Sequence, residues 1–150
     1  MNRFMKLVCA LLGVLVPAAA QADTHTYFVP GNRNESNPLS TALTIPARSL
    51  VTIRVTGTMT IGPGKTVVNG RGYWNNGFTR PNGMSFGAAV VVIAGVHWST
   101  EGGARTFTAP HTGTVQIYIA DTDPTDNTGG YTVSIDVGPQ LIGDTDEDGL

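Results

Sequence analysis

Apolar residues recur at every second position over much of this chain. In Leu50-Val51-Thr52-Ile53-Arg54-Val55-Thr56, the side chains of Val51, Ile53 and Val55 share one side. Thr114 to Ile119 repeats the pattern with Val115, Ile117 and Ile119, and Tyr131 to Val137 with Tyr131, Val133, Ile135 and Val137. A period of two marks a strand with one buried and one solvated face. Ala88 to Ala94 is apolar throughout and predicts a central strand buried on both faces. Weaker patterns predict strands at Thr24 to Val29, Leu39 to Ile45 and Ala104 to Thr108. No stretch after residue 22 sustains a 3.6-residue apolar period. Seven or eight short strands separated by Gly and Pro predict an all-β fold, two antiparallel sheets packed as a β-sandwich or jelly roll. From Gly62 to Gly87 the pattern lapses into Gly, Asn, Pro and aromatic residues. An irregular insert of this length is expected to be functional.

The first 22 residues predict a secretory signal. Arg3 and Lys6 precede an apolar run from Leu7 to Val16, and Ala20-Gln21-Ala22 offers small residues for cleavage. Cutting before Asp23 leaves 128 residues, about one domain, here taken as 23–138 with an acidic segment over 139–150. The expected location is extracellular. No membrane anchor is expected, because the apolar run is too short to span a bilayer and none follows it. Cys9 lies within the leader, so the exported chain has no cysteine and no disulfide. A bound metal is one way to staple such a domain.

Charge narrows the choice of partner. The exported chain carries seven Lys and Arg against eleven Asp and Glu, a net charge of −4. Nucleic acid, which needs a basic face, is not an expected partner. Eight of those acids fall between Asp121 and Asp148. The segment Asp121-Thr122-Asp123-Pro124-Thr125-Asp126-Asn127 joins two predicted strands and holds three carboxylates and a carboxamide with no basic residue. Asp, Asn, Pro and Thr are also ordinary turn formers. Such concentrated negative charge is eased by a cation, and hard oxygen donors on a loop suit Ca²⁺.

Three segments carry a family resemblance. One is Asp121 followed by Asp126-Asn127-Thr128-Gly129-Gly130 and the strand Tyr131 to Val137. The second is Leu50 to Gly57 followed by Ile61-Gly62-Pro63. The third is the Pro81-Asn82-Gly83 turn ahead of Ala88 to Ala94. In order and spacing, over about Thr24 to Gly138, the chain resembles the calcium-dependent galactophilic lectins of the PA-IL type and their broader bacterial relatives. The resemblance implies a calcium site with side-chain oxygens from Asp121, Asp126 and Asn127. It also implies backbone carbonyls from near Asp123 and from Ile61, and a sugar that adds two hydroxyls to the ion. Five protein ligands leave room for those hydroxyls, since Ca²⁺ takes six to eight oxygens. The chain departs from that pattern in a loop about two residues shorter. Ile61 stands where the lectins place a loop tyrosine, Arg80 where they place a sugar-contacting histidine, and Asn82 is the nearest counterpart of the neighbouring glutamine. Calcium binding therefore carries over more directly than galactose binding.

Other candidates come from the residues themselves. Asp144, Asp146 and Asp148 followed by Gly149 match the front of an EF-hand-type calcium loop, but the acid at position twelve is missing. A longer chain or a second subunit could complete this second metal site, and a solvated acidic tail is the plain alternative. Tyr73, Trp74, Phe78 and Phe86 in the insert, and His97 and Trp98 on a later loop, offer rings to a sugar or plug the end of the sandwich. Arg71 and Arg80 could donate to ligand oxygens. His25, His97 and His111 show no zinc spacing. There is no Gly-x-Ser-x-Gly elbow, and nothing brings Glu35 and Glu101 together as a glycosidase pair, so no enzyme is expected. The expected function is a secreted, calcium-dependent, lectin-like carbohydrate-binding module. The alternatives are a structural subunit of a calcium-stabilised extracellular fibre or matrix, or the binding module of a longer exported enzyme.

Overall fold

The structure, a computed structural model, describes residues 22–62, 66–72, 83–100 and 103–141. Ten strands follow in chain order: β1 (Asp23–Pro30), β2 (Leu39–Ile45), β3 (Ser49–Thr56), β4 (Thr58–Ile61), β5 (Thr66–Asn69), β6 (Ala89–Ile93), β7 (Val96–Ser99), β8 (Ala104–Thr108), β9 (Gly113–Ile119) and β10 (Thr128–Gln140). They form the expected two antiparallel sheets. One has six strands centred on β10, and the other runs β2-β9-β6-β7.

The long β10 organises the first sheet. Along one edge it pairs with β1 from Asp23↔Val137 to Pro30↔Gly130. Along the other it pairs with β3 and then β4. The pairs Val133↔Val55, Thr132↔Thr56, Gly129↔Met59 and Thr128↔Thr60 belong to a single register. β3 and β4 are thus one strand interrupted at Gly57, opposite Tyr131. Gly57 has a φ of 95°, and a Cβ there would lie 3.2 Å from the Gly130 carbonyl oxygen, so glycine suits the break. On its far side, β3 pairs with β8 while β4 pairs with β5.

Alternation explains the core. Val51, Ile53, Val133, Ile135, Val115, Ile117 and Ile119 are fully buried between the sheets, as their period-two spacing predicts. β6 is buried on both faces, also as predicted. Val91 and Ile93 enter the main core, while Ala88 and Val90 join Tyr118 and Ala120 in a second cluster. The solvated face of the first sheet is hydroxyl-rich: Thr52 and Thr106 pair across strands at 2.9 Å, and Thr24 donates to Asp136 at 2.8 Å. Asp136 also accepts from Arg54.

Three short strands fall where no strand is expected from the pattern. β5 opens the insert, which is therefore not irregular from its start. β7 contains His97 and Trp98, so these residues lie on a strand rather than a loop. Trp98 stacks on Phe107 of β8 with centroids 3.8 Å apart and an 8° interplanar angle, while Arg105 sits 5.0 Å from its ring centroid. These contacts close the side of the sandwich where β7 meets β8. Trp98 thus fills the sandwich rather than presenting a platform. Phe86 also packs against the main core.

Asp136 provides a pH prediction. Its hydrogen bond from Thr24, and then that from Arg54, hold its carboxyl below the ordinary value of 3.8. A depressed carboxylate contributes stability above the unfolded-state value that is lost as pH falls through the folded value. The melting temperature of the calcium-free protein is expected to fall more steeply below about pH 4 than that of Asp136→Asn. Parallel curves would remove this assignment.

Candidate metal centre

Four segments gather at one end of the sandwich. The β9–β10 connection, residues 120–127, crosses there from the second sheet to the first, and the β1–β2 corner crosses beside it. The end of β4 and the end of the insert complete the group. Backbone bonds stitch them together. Gly87 N–H donates to the Ala120 carbonyl at 2.8 Å, and Ala120 N–H donates to Ala88 at 2.9 Å. Ile119 N–H donates to the Arg33 carbonyl at 2.8 Å, and Gly31 N–H to the Gly129 carbonyl at 2.9 Å. The Tyr131 hydroxyl, fully buried, lies 2.8 Å from the Asn69 carbonyl oxygen and 2.9 Å from that of Gly87, fastening both ends of the insert. Burial pushes this phenol well above its ordinary range.

Within the β9–β10 connection, Asp123 caps a short 3-10 turn, Pro124–Asp126. Its carboxylate accepts from Thr125 N–H at 3.3 Å and from the Thr125 hydroxyl at 2.6 Å. Pro124 favours the turn because its φ is preset and it has no N–H to leave unpaired. The turn swings the chain so that Asn127 returns to Asp121.

Asp121 is the buried acid, 4% exposed. One carboxylate oxygen accepts from Asp123 N–H and the other from Asn127 Nδ2, both at 2.9 Å. Burial raises its pKa above the ordinary value. The two hydrogen bonds oppose that rise, while the charges of Asp126 and Asp123 add to it. Asn127 Nδ2 also donates to the Gly31 carbonyl at 3.0 Å. Asn127 Oδ1 is buried with no hydrogen-bond partner. The β4–β10 register, carried one step past Thr128↔Thr60, sets Ile61 level with Asn127.

The structure therefore brings Asp121, Asn127 and Ile61 to one place. Asp123 and Asp126 share the same short connection, where Thr125 occupies one carboxylate oxygen of Asp123. No group of three or more His, Cys, Asp or Glu side chains suited to a metal occurs among the described residues. Any cation held here would depend on an amide and backbone carbonyls as well as carboxylates, a donor set that suits Ca²⁺. Tyr73, Trp74, Phe78, Arg80 and Asn82 lie outside the described residues, as do Asp144, Asp146 and Asp148, residues 1–21 and Glu101. Arg71 is described and exposed, and its N–H donates to Asn69 Oδ1 at 3.1 Å. The β1–β2 corner was not expected at the site from sequence. The Pro30-Gly31 dipeptide at a strand end marks a turn, but nothing in it indicates that the turn meets a loop ninety residues away.

A solved structure shares this architecture. The N-terminal domain of EclA, described as a PllA-like lectin, superposes with a TM-score of 0.59 at 17% sequence identity, over 75% of this chain and 94% of that one. No protein-family model and no curated protein matches the sequence. The two-sheet antiparallel β-sandwich expected from the alternation is the fold of this chain, and it is a fold that this lectin domain shares.

Proposed function

We propose that this chain is an exported, calcium-dependent carbohydrate-binding module of the lectin type. The observation that carries the reading is the buried, unpartnered Asn127 Oδ1 beside the buried carboxylate of Asp121. Leaving a buried acceptor unsatisfied costs roughly 1–3 kcal/mol, so such an atom calls for a partner. Asp121 has a donor on each oxygen, but burial opposes its charge and no basic group among the described residues pairs with it. A divalent cation resolves both. Asp121 and Asn127 would hold it through side chains, with Asp126 from the same connection and the carbonyls of Ile61 and Asp123 completing the set.

Bound calcium would supply open coordination positions that accept vicinal hydroxyls of a sugar. The chain's own part is to fix the oxygens in advance. β9 and β10 deliver Asp121 and Asn127 from opposite sheets, and Tyr131 holds the insert's ends against the same corner. The lectin-like neighbour supports a non-enzymatic binding role for this scaffold. The test is retention of the exported chain on a glycan array in millimolar Ca²⁺ and again in EDTA. Retention that EDTA abolishes is expected. Failure to retain any glycan in calcium would overturn the carbohydrate reading.

A further inference from the structure

We infer that Gly31 is a positioning residue for the metal ligand Asn127: its backbone carbonyl selects which atom of the Asn127 amide faces the cation. The inference rests on the calcium reading above and adds a residue outside the candidate ligand set.

Asn127 has two amide orientations. In the one observed, Nδ2 donates both hydrogens, to Asp121 at 2.9 Å and to Gly31 O at 3.0 Å, and Oδ1 is left without a donor. The reversed orientation would set Oδ1 against two acceptors, the Asp121 carboxylate and the Gly31 carbonyl. Neither can donate a hydrogen while Asp121 is ionised, so that orientation is repulsive. The Gly31 carbonyl thus points Oδ1 away from the corner and leaves it available to a cation. The arrangement matches that of metal-ligating imidazoles, whose second nitrogen is held by an outer partner that fixes the ligating atom.

The corner is built to deliver that carbonyl. Gly31 N–H donates to Gly129 O at 2.9 Å, extending the β1–β10 register one step past Pro30↔Gly130. Two residues on, Arg33 O accepts from Ile119 N–H, so the corner is pinned on both sides of the β9–β10 connection. Gly31 is buried, and the space beside it is taken. A Cβ would lie 2.8 Å from Met59 Sδ and 3.0 Å from Asn127 Cβ. A side chain at Gly31 therefore crowds both Met59 and Asn127, and the expected relief is a shift of Asn127 relative to the carbonyl that orients it.

The test is calorimetric titration of Ca²⁺ into four proteins: the parent, Gly31→Ala, Asn127→Asp, and the double variant. Asn127→Asp keeps the same Cβ, and so the same crowding, but it has no amide nitrogen for the Gly31 carbonyl to hold, so that carbonyl no longer selects the ligating atom. Gly31→Ala is expected to weaken calcium binding about tenfold to a hundredfold in the Asn127 protein and by no more than about twofold in the Asn127→Asp background. Equal weakening in both backgrounds, or none in the parent background, would overturn the inference. A parent that takes up no calcium would instead overturn the calcium reading and this inference with it. A measurement on the unmodified protein guards against misfolded variants. In the calcium-free nitrogen-15 spectrum, the Asn127 side-chain amide protons are expected to exchange slowly with solvent. Exchange as fast as that of an exposed asparagine would count equally against the role.

Discussion

Asp121→Ala is expected to remove calcium binding while leaving a folded protein. Among the described residues Asp121 is the one charged side chain that is buried, so its loss should weaken Ca²⁺ binding by on the order of a hundredfold or more. For the parent, Ca²⁺ at about 100 times its dissociation constant adds roughly 2.7 kcal/mol, or about 10 °C in melting temperature for a domain of this size. That increment should vanish in the variant. Without calcium the two proteins should melt within a few degrees of each other, because two opposing effects nearly cancel. The substitution strips an acceptor from Asp123 N–H and from Asn127 Nδ2, but it also removes a carboxylate whose burial is unfavourable. Melting curves in EDTA and in millimolar Ca²⁺ measure both quantities. A calcium shift retained in the variant would place the ion elsewhere.

Ile135→Ala should have the larger effect on the fold itself. Ile135 is fully buried at the middle of β10, between β1 on one side and β3 on the other. Truncating a core isoleucine costs about 2–5 kcal/mol, from lost burial and from the cavity that remains. Native domains have only about 5–15 kcal/mol in total, so the variant should be markedly weakened. Urea denaturation in EDTA should show a lower midpoint with an unchanged slope. On the proposed calcium reading, saturating Ca²⁺ should add the same increment to parent and variant alike. An increment that shrinks in the variant would mean that the core change had reached the metal centre.

How far the sequence reveals this molecule depends on how local each feature is. The long strands were legible because alternation over six or seven residues leaves one interpretation. β4, β5 and β7 were not, because four residues carry too little periodicity to separate a strand from a loop. β7 also hides behind an atypical turn. Ala94 and Gly95 both have positive φ, 51° and 79°, the two-residue hairpin geometry, yet alanine is a poor resident of the first position. The reading of Ala88 to Ala94 as one strand therefore ran through the turn that ends it. Asp121 and Asn127 stood out as candidates because their chemistry is concentrated in seven consecutive residues, and the fold brings the two side chains together. Gly31 was not, because it contributes a carbonyl that every residue type possesses, and only the fold brings it to Asn127.

The break at Gly57 bears on how the end of the sandwich that carries Asp121 and Asn127 is tied to the rest of the domain. Ahead of the break, the chain alongside β10 leans on β8. Beyond it, the chain leans on β5, which belongs to the insert. The break therefore divides the first sheet into a half anchored by Ile53 and Ile135 and a half bearing Ile61 and the start of the insert. A change of length in the insert would thus be felt first by β5 and β4, while the pairing of Ile53 with Ile135 lies on the other side of the break.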